Sequence, residues 1–275
     1  HLKAQYQYIS NYVRENPQEE VAVLYRNNLS VIGLVEALER ESMDFNIREP
    51  KSLLAHHWIV RDVIDILDFA EDETRLDLFE KFYYKIKGYI SKKNIQAIQN
   101  KSAGSVLTNL MDLREPAYLM RNVRELKEIF SKLRKSPIKK ALQIIEYDLN
   151  YRTYLTNHAE TFGSSESASM RIYFYLKFIA ERCGSKEEFV GRIKEISHLM
   201  SARHVPQSHL TLSTLHGAKG LEFDTVFLID LTEDIIPSPK SVSELDRGIR
   251  DGYEEERRLF YVGMSRARKN LYFRD

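Results

Sequence analysis

The sequence is poor in cysteine, in long apolar runs and in net charge, and each shortage excludes a class of protein. Cys183 is the only cysteine among 275 residues, so no internal disulfide can form and a reducing compartment is favoured. No apolar run approaches the roughly 20 residues of a membrane-spanning helix, so we expect a cytoplasmic protein with no membrane partner. The 41 basic and 40 acidic residues leave a net charge of +1, so any contact with nucleic acid must depend on local patches. The histidines lack the spacing of a metal site, so none is predicted.

The first fifty residues have the pattern of a parallel α/β sheet. Apolar residues at spacings of three and four predict a helix over residues 1–16. The apolar run Val21–Tyr25 predicts a buried strand, and Phe45–Ile47 predicts a second one. Between them, Ser30 is placed to cap a helix whose apolar face includes Val35.

The pattern becomes helical in the middle of the chain and returns to α/β near the end. From His56 to Met200 there are successive helical periodicities and almost no strand signals. The later α/β elements are strands over 209–215, 225–230 and 270–273 and a helix over 254–266. We therefore predict an α/β domain made of residues 1–72 and 203–275, interrupted by an all-helical insertion over residues 73–202.

The segment Thr211–Asp224 has the pattern of a strand that breaks into a glycine-flanked loop. The strand leads to Thr214 and His216, and glycines such as Gly220 allow the backbone to approach a ligand closely. Threonine and histidine donors beside free backbone N–H groups suit a nucleic-acid phosphate. Lys219 adds positive charge to the same loop.

Three other residues suit a nucleotide. Tyr25 and Arg26 end the first predicted strand, where ligands bind in doubly wound sheets. A tyrosine offers a flat face for stacking, and an arginine offers a planar fork for a phosphate. A half-buried tyrosine beside a solvated arginine stays open as the alternative on these residues alone. Glu222 can accept a hydrogen bond from a ribose hydroxyl.

The predicted helix over 254–266 carries acids in its first turn and Arg266 at its far end, as the helix dipole favours. We interpret most of the four residues Glu255, Glu256, Arg257 and Arg258 as a charge-balanced solvated face. The apolar residues 259–262 are interpreted as core.

Together these segments resemble the fourth, fifth and sixth motifs of the UvrD/Rep type of superfamily 1 DNA helicases. The resemblance rests on Val21–Leu38, Thr211–Asp224 and Glu254–Arg268. It implies that the chain is the C-terminal half of such a helicase, a second RecA-like domain with a helical insertion. It also implies ATP and Mg²⁺ as cofactors, single-stranded and duplex DNA as partners, and 3′→5′ movement.

The resemblance assigns a role to each matching residue. Tyr25 would stack on adenine, Arg26 would reach the γ-phosphate, and Arg266 would act as an arginine finger. The residues implied to bind nucleotide are Tyr25, Arg26, Gly220, Glu222 and Arg266, and those implied to bind DNA are Thr214, His216 and Lys219. Val31 stands where the family often has another arginine, so that position receives no role.

One part of the motor is missing from this sequence. No G-x-x-x-x-G-K-[ST] phosphate-binding loop occurs. Asp230, which follows an apolar strand as a Walker B acid would, therefore has no bound phosphate to serve and is interpreted as core. We expect an excised fragment that is inactive alone and that works with an N-terminal RecA-like half of the same protein.

Two alternatives remain open. The parent protein could be a helicase–nuclease of the RecB/AddA type, which shares these motifs. The chain could instead be a catalytically inactive module that binds DNA or another protein. Within the insertion, Lys85–Lys93 could be a turn that grips duplex phosphates or a solvated loop.

Overall fold

A computed structural model describes residues 2–48, 54–99, 101, 104–113, 115–162, 166–202, 205, 207–232 and 235–274. They form two compact units. The first comprises His1–Ala55, Gly163–Ala168 and Ile193–Asp275, and the second comprises His56–Phe162 and Ser169–Arg192. These limits differ from the predicted domain boundaries after residues 72 and 202, and the predicted division remains a prediction.

The secondary structure of the described residues is mainly helical, with five strands. The helices are α1 (Leu2–Glu15), α2 (Ile32–Arg40), α3 (Trp58–Glu71), α4 (Leu76–Phe82), α5 (Lys92–Ile98), α6 (Val106–Met111), α7 (Ala117–Arg134), α8 (Ile138–Gln143), α9 (Tyr151–Phe162), α10 (Glu166–Ala180), α11 (Lys186–Ala202), α12 (Pro239–Asp246) and α13 (Asp251–Met264). The strands are β1 (Val21–Tyr25), β2 (Asn46–Ile47), β3 (Leu210–Thr214), β4 (Phe223–Leu228) and β5 (Ala267–Phe273). A 3₁₀ turn covers Tyr83–Lys85, and a π-helical turn covers Ile144–Asp148. None of the helices in the described part of the chain is both long and apolar enough to cross a bilayer.

The first unit is built on a five-stranded sheet in the order β2-β3-β1-β4-β5. Every neighbouring pair of strands is parallel, which confirms the predicted α/β fold. All five residues of β1 are buried, as expected of a central strand that is covered on both faces. The strand is apolar at every position because it lies in the middle of the sheet.

The turn between β1 and α2 differs from the prediction. α2 begins at Ile32 without a side-chain cap, so the assignment of Ser30 as its cap is wrong. Asn27 closes the turn instead, because its Oδ1 accepts hydrogen bonds from the backbone N–H groups of Leu29 at 3.1 Å and Ser30 at 3.2 Å. Such an Asx turn pairs backbone N–H groups of the turn that precedes the helix.

Helix α13 packs closely against the sheet. A Cβ added to Gly263 would lie 2.4 Å from Leu215 Cδ2 and 3.0 Å from Leu228 Cδ2, so only glycine permits this approach without a shift of those side chains. The helix ends at Met264, and Arg266 lies in the turn that follows rather than on the helix as predicted. Tyr261 is 66% exposed, so its assignment to the core is wrong.

The second unit is helical, and its described residues contain no strand. Its core is rich in aromatic residues: Phe69 packs against Phe79, Phe82 and Phe130 at ring-centroid distances of 4.9, 5.6 and 5.0 Å. The contacts of Phe69 with Phe82 and Phe130 are edge-to-face, an arrangement that adds to the energy of apolar burial.

A buried polar cluster lies within the second unit. Lys85 Nζ donates to Asp62 Oδ1 at 2.7 Å, and the Tyr151 hydroxyl donates to Asp62 Oδ2 at 2.8 Å. The side chains of Asp62 and Lys85 are only 7% and 12% exposed. Burial raises the pKa of Asp62, although the hydrogen bonds from Lys85 and Tyr151 oppose the shift. Lys85 is therefore an internal ion-pair partner, which the sequence did not indicate.

Candidate functional site

The carboxyl ends of β1 and β3 bring two of the predicted segments side by side. Tyr25 pairs with Thr214 in the register of the sheet, and the backbone N–H of Leu215 donates to the carbonyl of Tyr25 at 2.9 Å. Ligands of doubly wound sheets bind beyond this edge. The segment that begins with Arg26 and the loop after Thr214 therefore leave the sheet at the position where a ligand is expected.

The loop after β3 is fixed by buried residues and presents polar ones. Leu215 and Ala218 belong to the apolar core beneath it, and the Thr214 hydroxyl accepts a hydrogen bond from the N–H of Gly217 at 2.9 Å. His216 and Lys219 are exposed. Thr214 is itself buried, so it holds the loop while His216 and Lys219 form its outer surface.

The end of this loop contains Gly220 and Glu222. Gly220 has a φ of +80°, and a Cβ added there would meet nothing within 4 Å. The glycine is therefore required by backbone conformation rather than by lack of space. Glu222 is exposed, and its carboxylate forms no hydrogen bond or ion pair with another described residue. The same holds for the side chains of His216 and Lys219.

Tyr25 occupies a different environment from the one its predicted role requires. The side chain is completely buried at the end of β1. Its ring has no face open to a nucleobase in this structure. Stacking on adenine would therefore require that the groups covering Tyr25 move.

Arg26 is held by a carboxylate from α13. Its Nε and Nη2 atoms donate to Glu256 Oε2 and Oε1 at 3.0 and 2.9 Å, the two-pronged geometry that favours arginine–carboxylate pairs. Glu256 is the exception to the solvated face predicted for most of these charged residues, because its side chain is only 8% exposed. The neighbouring pair of Glu255 and Arg258 is exposed as predicted.

Arg266 joins the last predicted segment to the loop. Its Nε donates to the carbonyl of Val262, its Nη1 to the carbonyl of Leu221 and its Nη2 to Ser265 Oγ, each at 2.9 Å. The N–H of Phe223 donates in turn to the carbonyl of Arg266 at 2.9 Å. The guanidinium is therefore fixed against the backbone next to Glu222.

The sequence profile of the UvrD-like helicase C-terminal domain matches residues 2–274. The chain belongs to this family. The described residues of this UvrD-like domain include no group of three or more His, Cys, Asp or Glu side chains that could hold a metal ion.

Curated relatives of this UvrD-like domain are named as DNA helicases. ATP-dependent DNA helicase Rep of Buchnera aphidicola subsp. Acyrthosiphon pisum (strain APS) is 27% identical over 96% of this chain and 43% of its own length. The putative ATP-dependent DNA helicase YjcD of Bacillus subtilis (strain 168) is 24% identical over 92% of this chain and 34% of its own length. ATP-dependent DNA helicase PcrA of the same strain is 24% identical over 92% of this chain and 36% of its own length. The chain thus spans less than half of each relative.

Glu256 is the residue of this UvrD-like domain that sequence reasoning missed. A signal for it was present in the spacing. Glu256 lies three positions before Leu259 and seven before Gly263, so the three residues share one face of α13, and they are the buried residues of that helix. A carboxylate on the apolar face of a helix calls for a cationic partner. The pattern could have indicated that need, but not that Arg26 meets it.

Proposed function

We propose that this domain is the C-terminal part of an ATP-dependent DNA helicase that moves 3′→5′ on single-stranded DNA and unwinds duplex DNA. One observation carries the proposal. The loop that presents His216 and Lys219 also accepts, at the carbonyl of Leu221, a hydrogen bond from Arg266. A single short loop therefore touches both the surface suited to DNA and the arginine suited to a phosphate.

In this proposal, one side of the site serves ATP. Arg26 and Arg266 supply positive charge to the terminal phosphate and act in catalysis, Glu222 receives a ribose hydroxyl, and Gly220 lets the loop backbone come close. Tyr25 supplies the stacking face once it is uncovered. An N-terminal RecA-like half supplies the phosphate-binding loop and the Mg²⁺ site, because phosphoryl transfer depends on both.

The other side of the site serves single-stranded DNA. His216 and Lys219 are exposed on one loop and suit a phosphate, while Thr214 keeps that loop in place through its bond to Gly217. Contacts of this kind position the backbone of a nucleic acid without reading its sequence. ATP-dependent movement of Arg266 would be transmitted to the DNA through the carbonyl of Leu221.

The isolated 275-residue chain is expected to hydrolyse ATP no faster than the buffer background, with or without DNA. The physical reason is that it lacks a loop to cradle the β- and γ-phosphates. Release of phosphate from purified chain, with the full-length protein as the positive control, is the measurement. DNA-stimulated hydrolysis by the chain alone would contradict the division of labour proposed here.

Changing His216 to alanine in the full-length protein is expected to weaken binding to single-stranded oligonucleotides by roughly tenfold, the loss of one hydrogen bond to a charged group. Nucleotide affinity without DNA should be unchanged. Fluorescence anisotropy with labelled oligonucleotide and with labelled nucleotide measures both. His198→Ala, an exposed histidine on α11, is the matched control. Lost nucleotide binding with intact DNA binding would reverse the assignment of the loop.

A further inference from the structure

The pair between Arg26 and Glu256 leaves part of the guanidinium unused. A guanidinium carries five N–H donors, and the pair uses one on Nε and one on Nη2. Two donors on Nη1 and one on Nη2 remain. No other described residue accepts a hydrogen bond from this side chain, so the unused edge is available to a ligand.

The two partners differ in exposure, and this difference decides which of them is fixed. The Glu256 side chain is 8% exposed and that of Arg26 is 30% exposed. Removing the arginine from a buried carboxylate would leave an uncompensated charge, which is costly. The carboxylate is therefore the stationary partner, and it fixes the plane in which the guanidinium lies.

The surroundings of Glu256 strengthen the pair. Glu256 lines a pocket of about 260 Å³ whose other walls include the apolar side chains of Leu231, Ile236, Pro237 and Phe260. Ion pairs and hydrogen bonds are stronger beside apolar groups than in water. By contrast, Glu255 and Arg258 on the same helix have side chains 63% and 67% exposed, where a pair contributes little.

We propose that Glu256 is a positioning residue. It holds Arg26 so that the three unused N–H groups of the guanidinium are directed at the terminal phosphate of ATP. This inference rests on the proposed function, since it needs Arg26 to contact the nucleotide. Glu256 lies on α13, and Arg266 follows the end of the same helix. Helix α13 therefore sets the position of both arginines, so that a movement of the helix displaces them together.

The test is steady-state ATP hydrolysis by the full-length protein carrying Glu256→Gln. The amide keeps the shape of the side chain, but only its oxygen can accept a hydrogen bond, because the NH₂ group is a donor. The two parallel hydrogen bonds from Nε and Nη2 are therefore lost, and Arg26 loses its fixed plane. We expect kcat to fall roughly ten- to a hundredfold, the range that a displacement of about 1 Å in a reacting group can cost, while the KM for ATP changes far less. Glu255→Gln should behave as wild type, and Glu256→Asp, which keeps the charge, should recover part of kcat.

A second background separates positioning from a general structural role. In an Arg26→Ala protein, adding Glu256→Gln should lower kcat no further, because the residue to be positioned is gone. Equal losses in both backgrounds, or a normal kcat for Glu256→Gln beside an impaired Arg26→Ala, would overturn the positioning role and leave the proposed function standing. A normal kcat for Arg26→Ala would overturn both the positioning role and the assignment of Arg26 to ATP. Thermal melting of every variant checks that each is folded.

Discussion

Replacing Arg266 with alanine in the full-length protein is expected to lower ATP turnover by roughly 10³-fold or more, the range found for arginine fingers. Two effects add in the same direction. The charge that would neutralise the terminal phosphate is lost, and the hydrogen bond to the carbonyl of Leu221 that connects the site to the DNA-facing loop is lost with it. Arg266→Lys keeps the charge but not the planar fork, so it should also be badly impaired.

The measurement is DNA-stimulated ATP hydrolysis, with thermal melting to check folding. Arg268→Ala is the matched control, because Arg268 is nearby in sequence, has an exposed side chain and forms ion pairs with Glu20 and Asp224. Loss of the hydrogen bonds made by Arg266 should cost about 1 kcal/mol each in stability, too little to unfold the protein. An Arg266→Ala protein that keeps more than about a tenth of wild-type turnover, against that range, would show that the assignment is wrong.

Replacing Asp62 with alanine is expected to destabilise the helical unit by about 3 to 5 kcal/mol, the cost of breaking one side of a buried ion pair. Lys85 would be left charged, without its ion-pair partner Asp62, at a site where it is 12% exposed. Hydrogen exchange of backbone amides within residues 56–162 reports the stability of this unit directly. Asp65→Ala is the matched control, because Asp65 pairs with the more exposed Lys81 and should cost less than about 1 kcal/mol. Protection factors within about 1 kcal/mol of wild type for Asp62→Ala would contradict the prediction.

The same residue gives a pH dependence with a definite sign. Burial raises the pKa of Asp62 in the folded protein, so the folded state binds its proton more readily than the unfolded state does. The contribution of Asp62 to stability therefore rises as the pH falls from above the folded pKa towards the ordinary pKa of aspartate. The free energy of unfolding of wild type relative to that of Asp62→Asn should therefore increase as the pH falls through this window. A difference that stays constant with pH would contradict the raised pKa.

Local patterns predicted the elements of the α/β unit well, because their signals depend on neighbours in the sequence. The apolar run Val21–Tyr25 gave a central strand, and the glycine-flanked segment after Thr214 gave a loop with a left-handed glycine at Gly220. The helix Pro239–Asp246 was not predicted. It is short, contains one proline at its start and buries only Ser241 among its residues, so it has almost no apolar periodicity to detect.

The candidate site itself could be predicted only in part. Its residues were found by their types and spacing, but their partners come from distant positions in the sequence. Arg26 and Glu256 are 230 residues apart, and the contact of Arg266 with Leu221 spans 45 residues. The burial of Tyr25 likewise depends on what packs over the strand end. Such contacts are fixed by tertiary packing, which periodicity along the chain does not encode.

The strand order of the sheet has a consequence for how the protein is made. Neighbours β2-β3-β1-β4 place β3 between the two strands from the start of the chain, so β1 and β2 do not pair with each other. On the ribosome, β1 emerges first and must wait while the 184 residues between Tyr25 and Leu210 are added. At roughly 5–20 residues per second, this delay lasts about 10 to 40 s. During that time the five apolar residues of β1 have no strand to join, whereas the intervening helices can already form. Nascent chains that contain β1 but not yet β3 are therefore expected to be substrates for chaperones.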